Sequence, residues 1–461
     1  QKGDVADHVT TKKGIAESKE LYLGSYEIVE TKQPQGYILS HQKYPVTIAY
    51  KDQVTPVVVQ PVNVTNPPAK VRIKKVDSES GKALPGVEFK IWNKAMDTDD
   101  VDPGITADML YKTDENGLIE IGYLSPGTYC VQETKSLYGY APDDTVHEFT
   151  VSEDGRIDGK ELGEITITNT PIEIGTKATD KVDGDQIITN MEKETIVDTV
   201  YYSGLIPGKE YKVNGVLMVK STGKPLMDDG KEVTAELTFI PELSEGEVEL
   251  IFTFNAKALV GEKIVAFERI FYEGKEIAAH TDIEDEDQTV EVVPIEIRTQ
   301  AKDKVDNDQT ISAIPEMTII DTVEYSRLHV GWIYTVKGIL MDKSTGEPLL
   351  VDGKAVTGET KFTAKAENGT VDVEFIFDAS DFANQELVVF EELYFEDELI
   401  AEHKDIDDKG QTVEVVPVEI GTKASDMGDG DKKICADEDV TVIDTVSYKN
   451  LVPGRTYTVS G

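Results

Sequence analysis

The sequence is poor in cysteine, and this absence limits the kinds of protein that it can encode. Only Cys130 and Cys435 occur among its 461 residues, and they lie in distant parts of the chain, which excludes a framework of disulfide bonds. The 6 histidines are scattered singly and none lies beside a cysteine, so we do not expect a zinc site. No stretch approaches the roughly 18 apolar residues of a membrane-spanning helix, so we expect no membrane insertion of this part.

Basic residues are also scarce. The chain has 46 Lys and Arg residues against 88 Asp and Glu residues, which gives a formal net charge of -42 at pH 7. A field of this sign repels phosphate groups, so neither a nucleic acid nor an anionic membrane surface is a predicted partner. Hydrophobic residues nevertheless make up 39% of the chain, which is enough for packed cores and too many for a disordered acidic tail.

A repeat of 123 residues organises the C-terminal part of the chain. The stretch IVDTVYYSGLIPGKEYKVNG begins at Ile196, and similar stretches begin at Ile319 and Val442, each 123 positions after the one before (319 − 196 and 442 − 319). The predicted copies are two full ones and a partial one, over 172–294, 295–417 and 418–461.

A different repeat, of 103 residues, precedes these copies. GSYEIVETKQPQGY starts at Gly24, and GTYCVQETKSLYGY starts at Gly127 (127 − 24). These stretches predict a partial copy over 1–69 and a full copy over 70–171. Because the first and last copies are both incomplete, we expect the chain to be a part of a longer protein.

The local pattern predicts β-structure throughout. Segments such as KVRIKKVD, ELVVFEELYF and QTVEVV alternate polar and apolar residues or carry runs of β-branched residues, and Gly, Pro, Asn and Asp separate them at short intervals. No convincing amphipathic helical pattern is present. The predicted fold class is therefore all-β, with tandem β-sandwich domains joined by short linkers into an elongated rod.

Three polar residues of 70–171 fall on rows of alternating apolar residues that should face the core: Lys75, Glu133 and Asn169. A buried Lys tends to lose its proton and a buried Glu tends to gain one. A neutral amine could then attack an Asn carboxamide to which the protonated Glu donates a hydrogen bond, forming an amide and releasing ammonia. The alternative is a hydrogen-bonded cluster at strand ends that faces solvent.

The same region resembles a known family. KKVDSESGKALPGVEFKIW, YLSPGTYCVQETKSLYGYAP and ITITNTP are similar to a Cna B-type (SpaA-like pilin) domain of Gram-positive surface proteins, which has a prealbumin-like fold. The resemblance covers 70–171 and part of 1–69, and it implies an isopeptide bond between Lys75 and Asn169 with Glu133 as catalyst. In the partial copy Glu30 and Asn66 match the pattern, but the matching Lys would precede the chain, so no bond is expected there within these residues.

Five residue types recur at fixed positions in the two full copies of the longer repeat. They are Thr176, Asp198, Glu268, His280 and Gln288 in the first copy, and Thr299, Asp321, Glu391, His403 and Gln411 in the second. His is the usual base near neutral pH for a Thr hydroxyl, and a protonated carboxyl pair could polarise a Gln carbonyl, so a Thr–Gln ester could form with release of ammonia. Taken singly, a strand Thr or an isolated His is more often structural.

The longer repeat resembles the VaFE repeat, an immunoglobulin-like domain of Gram-positive adhesin shafts that carries a Thr–Gln ester. VAFE at 265–268 and VVFE at 388–391 carry the likeness, followed by HTDIEDEDQTVEV and HKDIDDKGQTVEV. The resemblance implies autocatalytic esters between Thr176 and Gln288 and between Thr299 and Gln411. It assigns the role of base to His280 and His403, and the role of acid to Asp198, Glu268, Asp321 and Glu391. The third copy keeps Thr422 and Asp444 but ends before any His or Gln, so we expect no ester in it.

Together the two resemblances imply a structural stalk of an extracellular adhesin or pilus-like fibre. The cross-links would make it inextensible, and parts outside this chain would anchor it to a Gram-positive cell wall or assemble it into a fibre. We expect no enzyme beyond single-turnover cross-linking and no cofactor.

Two alternatives stay open. One is an adhesin module that binds a ligand on a host or neighbouring cell. The other is a calcium-stabilised array without cross-links, because Asp180, Asp183 and Asp185 form a D-x-x-D-x-D pattern that recurs in both later copies. The same pattern is typical of ordinary turns.

Overall fold

The computed structural model of the chain describes residues 3–95, 105, 109–436 and 439–461. Within these ranges the backbone forms strands and turns and contains no helix, which confirms the all-β prediction. The described part accordingly has no helical segment with the length and hydrophobicity needed to cross a membrane.

The residues ahead of the first full domain contain one antiparallel pair of strands, β1 (Gly24–Val29) and β2 (Lys43–Ile48). The loop between these strands packs on the following domain. Ile38 is buried in the hydrophobic core of that domain, and Leu39 N donates a hydrogen bond to Asp154 O (2.8 Å). The partial copy is thus joined to its neighbour by both apolar and backbone contacts.

The segment 70–171 folds into a two-sheet β-sandwich. Its strands are β3 (Lys70–Asp77), β4 (Glu88–Asn93), β5 (Leu110–Lys112), β6 (Leu118–Ile121), β7 (Gly127–Lys135), β8 (Val146–Val151) and β9 (Leu162–Asn169). One sheet has the order β6-β3-β9 and the other β5-β4-β7-β8, with one hydrophobic core drawn from both. The first and last strands, β3 and β9, are parallel neighbours, which brings the two ends of the domain together.

The segment 172–294 is a larger sandwich. Its strands are β10 (Glu173–Asp180), β11 (Ile187–Thr189), β12 (Glu194–Ser203), β13 (Tyr211–Val219), β14 (Lys224–Pro225), β15 (Met227–Asp228), β16 (Lys231–Glu232), β17 (Thr234–Phe239), β18 (Gly246–Phe254), β19 (Lys263–Tyr272), β20 (Lys275–His280) and β21 (Thr289–Val293). A sheet of order β10-β12-β18 packs against one of order β11-β21-β19-β13-β14, to which β17 and β20 add, while β15 pairs with β16.

Alternation along the strands explains how polar residues enter this core. On β12, Ile196, Asp198 and Val200 are buried, whereas the residues between them are partly exposed. Asp198 therefore shares the apolar face of its strand.

The segment 295–417 repeats this arrangement with a sheet of order β22-β24-β30 and a sheet of order β23-β33-β31-β25-β26, to which β29 and β32 add. Its strands are β22 (Glu296–Asp303), β23 (Thr310–Ser312), β24 (Met317–Ser326), β25 (Ile333–Asp342), β26 (Glu347–Pro348), β27 (Leu350–Val351), β28 (Lys354–Ala355), β29 (Thr357–Thr363), β30 (Gly369–Phe377), β31 (Glu386–Phe395), β32 (Glu398–His403) and β33 (Thr412–Val416). The final segment contributes the antiparallel pair β34 (Glu419–Asp426) and β35 (Val442–Lys449).

Successive repeats contact each other directly. Arg327 Nη1 donates a hydrogen bond to Pro294 O (2.7 Å), and Asn450 Nδ2 makes the equivalent contact with Pro417 O (2.8 Å) in the next junction. Met191 of the first repeat is buried in the core of the second. The junctions are therefore packed interfaces between successive domains.

Candidate cross-linking sites

Lys75, Glu133 and Asn169 meet in the core of 70–171. Lys75 lies on β3 and Asn169 on the neighbouring β9, while Glu133 comes from β7 in the opposite sheet. Lys75 Nζ lies 2.8 Å from Glu133 Oε2 and donates a hydrogen bond to Asn169 Oδ1. Asn169 Nδ2 donates in turn to Glu133 Oε1 (3.1 Å). The amine, the carboxyl group and the carboxamide are therefore in mutual contact, and all three residues are buried as predicted.

The surroundings of Lys75 favour a neutral amine. Its side chain is fully buried (0% exposed), and burial lowers its pKa, although the charge and hydrogen bond of Glu133 oppose that shift. The ring centroid of Phe89 lies 5.7 Å from Nζ. Because a neutral amine is a nucleophile, the arrangement has the chemistry needed for a Lys–Asn amide.

Ser136 also belongs to this site, although the sequence pattern does not identify it. Its Oγ accepts a hydrogen bond from Asn169 Nδ2 (2.9 Å). The residue at the equivalent place in the partial copy is Gln33, so comparison of the repeats gives no signal for Ser136.

The partial copy brings Glu30 and Asn66 together in the same way. Asn66 Nδ2 donates to Glu30 Oε2 (2.6 Å) and to Ile38 O (2.8 Å). The carboxyl–carboxamide contact of the full domain is thus repeated without a lysine.

Strands from both sheets supply the residues of the predicted ester site in 172–294. Thr176 lies on β10, where its neighbour Ala178 pairs with Asp198 of β12. In the opposite sheet Glu268 of β19 pairs with His280 of β20. Gln288 directly precedes β21.

Two backbone hydrogen bonds hold the Gln288 segment between the sheets. Ala178 N donates to Asp287 O (2.9 Å), and Ala266 N donates to Gln288 O (3.0 Å). Any bond between Thr176 and Gln288 would therefore connect one sheet of the sandwich to the other.

Thr176 and Gln288 are in contact inside the sandwich. Gln288 Nε2 donates hydrogen bonds to Thr176 Oγ1 (2.9 Å) and to Glu268 Oε2 (2.8 Å). Gln288, Glu268 and Asp198 have no exposed surface, and Thr176 is 5% exposed. The hydroxyl and the carboxamide that an ester would join are thus adjacent in a water-excluded place.

The two carboxyl groups of this site favour a shared proton. Burial raises the pKa of Asp198, and burial together with the charge of Asp198 raises the pKa of Glu268 further. Both oxygens of Asp198 and Oε1 of Glu268 lack a hydrogen-bond donor, as does Oε1 of Gln288. A proton held by the pair supplies the donor that these carboxyl oxygens lack. The Gln288 amide meets Glu268 through Nε2, so polarisation of its carbonyl by the pair requires the amide group to turn over.

A glycine makes room beside each carboxyl pair. A Cβ atom at Gly338 would come within 2.4 Å of Phe375 Cζ and 3.5 Å of Glu391 Oε1, and one at the equivalent Gly215 would come within 2.5 Å of Phe252 Cζ. The absent side chain lets an aromatic ring pack next to the acid, which keeps its surroundings apolar.

His280 is paired with an acidic residue, Asp285, that strand alternation does not identify. Its Nε2 lies 3.1 Å from Asp285 Oδ2, and its Nδ1 is buried without a hydrogen-bond partner. His403 and Asp408 repeat the pair at 3.2 Å. The available signal is the common spacing of five positions from His to Asp in both copies. Neither His280 nor His403 makes a hydrogen bond to the Thr of its site. Each predicted base therefore lies at the site without contacting the hydroxyl group that it would deprotonate.

The second copy differs in one contact. Gln411 Nε2 donates to Glu391 Oε2 (3.0 Å) and to His403 O (3.4 Å), but not to Thr299. Thr299 Oγ1 has no hydrogen-bond partner with good geometry. It lies close enough to Asp321 and Glu391 to lower the pKa of each, but burial has the larger effect and raises both pKa values. All the predicted members are nevertheless gathered in one place, as in the first copy.

The third copy keeps the strand register of the first two. Ala424 pairs with Asp444, as Ala178 pairs with Asp198, and Thr422 lies two residues before Ala424 on β34. The Thr and Asp positions of the site are thus present in the same relative arrangement.

The D-x-x-D-x-D stretches form hydrogen-bonded turns. Asp180 Oδ1 accepts from Val182 N (2.6 Å), Asp183 Oδ1 from Asp185 N (3.1 Å) and Asp185 Oδ1 from Ile187 N (2.7 Å). These are the contacts expected of acidic residues that stabilise a turn.

Two family models match the chain. The T-Q ester bond containing domain matches residues 172–292, 295–415 and 418–461, and the SpaA prealbumin-like fold domain matches 1–62 and 69–171. A comparison with curated proteins finds no match.

Similar solved structures include the major pilin subunit BcpA of Bacillus cereus, with 18% identity, coverage of 83% of this chain and 96% of that chain, and a TM-score of 0.27. The major pilin SpaD of Corynebacterium diphtheriae is 14% identical, with coverages of 75% and 90% and a TM-score of 0.29. An adhesin of Mobiluncus mulieris containing intramolecular disulfide, isopeptide and ester cross-links is 15% identical, with coverages of 56% and 87% and a TM-score of 0.25. These TM-scores are low, so the family models carry the assignment.

Proposed function

Because the chain belongs to the T-Q ester bond containing domain family, we propose that it is a tension-bearing stalk segment of a bacterial surface adhesin or pilus-like fibre. Two autocatalytic Thr–Gln esters and one Lys–Asn isopeptide bond make it inextensible. The observation that carries the proposal is the buried 2.9 Å contact between Thr176 Oγ1 and Gln288 Nε2 beside a carboxyl pair with raised pKa.

The ester forms by acyl transfer from nitrogen to oxygen. Thr176 Oγ1 attacks Gln288 Cδ and the Cδ–Nε2 bond breaks. His280, once its ring turns to the Thr176 hydroxyl, takes the hydroxyl proton and passes it to the leaving nitrogen, giving the ester and ammonia. A proton on Glu268 or Asp198 stabilises the negative charge that develops on the carbonyl oxygen. The second repeat uses Thr299 and Gln411 in the same way.

The isopeptide bond forms by the corresponding attack of an amine. Neutral Lys75 Nζ adds to Asn169 Cγ, the Cγ–Nδ2 bond breaks, and ammonia leaves. Glu133, which contacts both reacting groups, moves the proton from the amine to the leaving nitrogen. Each bond forms once per molecule, so no external substrate is turned over.

The positions of the bonds support a mechanical role. Thr176 is on the first strand of its domain and Gln288 directly precedes the last, and Lys75 and Asn169 lie on the first and last strands of theirs. A pulling force therefore passes across the bond instead of through the residues between its ends. Unfolding an ester-free repeat would release about 380 Å of chain, at about 3.4 Å for each of the 112 positions from Thr176 to Gln288 (288 − 176).

This role places the protein outside a Gram-positive cell, attached to its wall or built into a fibre through other parts. Neither kind of bond requires an oxidant, which agrees with a chain that contains only 2 cysteines.

The mass of the intact chain tests the proposal. We expect a deficit of three ammonia molecules relative to the sequence mass, one for each bond. Glu133→Ala, His280→Ala and His403→Ala should each restore one of them. Glu30→Ala is the matched control, because Glu30 has the same carboxamide contact without a lysine, and it should leave the deficit unchanged. A wild-type mass equal to the sequence mass would exclude the cross-links.

A further inference from the structure

Three side chains of the types that ligate metals meet at the junction of the two full T-Q repeats. Asp180 on β10 and Glu194 on β12 belong to the first repeat, and His329 follows β24 of the second. Their ligand atoms all lie within 4.8 Å of one another, and His329 Nε2 is 3.9 Å from Glu194 Oε1. The residues are 2%, 2% and 6% exposed, so two domains contribute to one buried polar cluster.

We propose that this cluster binds a divalent transition-metal ion, with Zn²⁺ as the best fit, and thereby joins the two repeats. An imidazole nitrogen and two carboxylate oxygens form a ligand set that zinc accepts, with water in the fourth position. Tetrahedral ligands at about 2.0–2.1 Å from zinc lie about 3.4 Å apart, so small side-chain movements close the site. Calcium takes about six to eight oxygen ligands, and this cluster does not offer them.

The charges of the cluster fit a divalent cation. Two buried carboxylates face one histidine, which supplies at most one positive charge. A divalent ion bound with a neutral imidazole neutralises both carboxylates.

Neighbouring groups hold the three side chains in position. Thr189 Oγ1 donates to Glu194 Oε1, and Val182 N donates to Asp180 Oδ1 (2.6 Å). The His329 ring packs on Trp332, with ring centroids 4.5 Å apart. Contacts of this kind orient metal ligands and reduce the reorganisation that binding requires.

The second junction provides an internal comparison. At the positions 123 residues further on, Asp303 is kept, but Met317 replaces Glu194 and Val452 replaces His329. Met317 and Val452 are 1% and 5% exposed and belong to one hydrophobic cluster. Both members of the polar pair are thus exchanged together for an apolar pair, which indicates that Glu194 and His329 act as a unit. The inference does not depend on the cross-links.

The test measures zinc binding to the full chain. Wild-type protein and the double variant Glu194→Met with His329→Val are freed of metal by a chelator, dialysed and titrated with ZnCl₂ in a calorimeter. The variant carries the residues of the second junction, so its packing has a precedent in the same chain. We expect wild type to bind one zinc ion more than the variant, and we expect titration with CaCl₂ to show no such difference.

His329→Gln is the second variant, since it keeps the size and polarity of the side chain, and it should weaken the same site at least about tenfold if the imidazole ligates. It decides the question if the double variant does not fold, as judged by circular dichroism. Equal zinc stoichiometry and affinity in wild type and variants, or no zinc binding by wild type, would overturn the proposal and leave an ion pair between the repeats.

Discussion

At the scale of single residues, Lys75 illustrates how burial changes the chemistry of one side chain. Its lowered pKa makes the neutral, nucleophilic amine accessible at a pH below the usual range for lysine. A chain refolded from inclusion bodies should therefore form the isopeptide bond at a lower pH than a lysine with an ordinary pKa would require. Below the lowered pKa of Lys75, the neutral fraction and hence the rate should fall about tenfold per pH unit. The loss of ammonia followed by mass spectrometry over a pH series measures this, and a pH-independent rate would contradict it.

Asp285 is the residue that positions His280. Without it the imidazole loses the partner that fixes its orientation, so Asp285→Ala should slow formation of the Thr176–Gln288 ester by about tenfold or more. Mass analysis of the digested chain during refolding resolves each ester separately. The Thr299–Gln411 ester is the control within the same molecule, because its His403 is paired with Asp408. Asp287→Ala is the control for a substitution of another acidic residue in the same loop. Equal rates in Asp285→Ala and wild type would show that Asp285 has no part in the reaction.

At the scale of strands, β10 is the element most dependent on the ester. It lies at the edge of its sheet and pairs there with β12 alone, so its outer side relies on the contacts to the Gln288 segment. Thr176→Val removes the bond and should speed amide exchange in β10 while leaving β22 unchanged. It should also lower the free energy of unfolding of that repeat by about 4–5 kcal/mol. Hydrogen exchange read by mass spectrometry tests this, and unchanged protection of β10 would count against a stapling role.

The same strands show what the sequence can and cannot predict. Alternation along one strand is a local property, so the burial of Lys75, Glu133 and Asp198 follows from the residues on either side of them. The contacts of Asp285 and Ser136 depend on where loops meet facing strands, and alternation carries no information about that. The strand order, including the parallel pairing of β3 with β9, likewise depends on contacts between residues far apart in the chain.

The polar cluster between the repeats escapes prediction for a related reason. The sequence predicts no zinc site because its histidines are scattered singly. His329 and Glu194 are distant in sequence and belong to different domains, so only the folded chain brings them together. The one available signal is the exchange of both residues at the equivalent positions of the next copy, and it becomes meaningful only when the junction is seen.

At the scale of the whole molecule, the three bonds should make the chain inextensible under force. When wild type is pulled from its ends, no length should be released from the segments that the bonds close. A variant with Glu133→Ala, Thr176→Val and Thr299→Val should release about 380 Å for each T-Q repeat that unfolds. Single-molecule force spectroscopy with a freely unfolding reference domain in series measures these steps. Wild-type steps of the full repeat length would show that the repeats extend.

The paired residues at the two junctions also limit how such an array can change by recombination. Loss of the second repeat would set Glu194 of the first against Val452 of the third and leave a buried carboxylate without its imidazole partner. An uncompensated buried charge destabilises a protein by about 3–5 kcal/mol. The repeats are therefore not interchangeable segments, and a shorter stalk requires compensating substitutions at the new junction as well as a deletion.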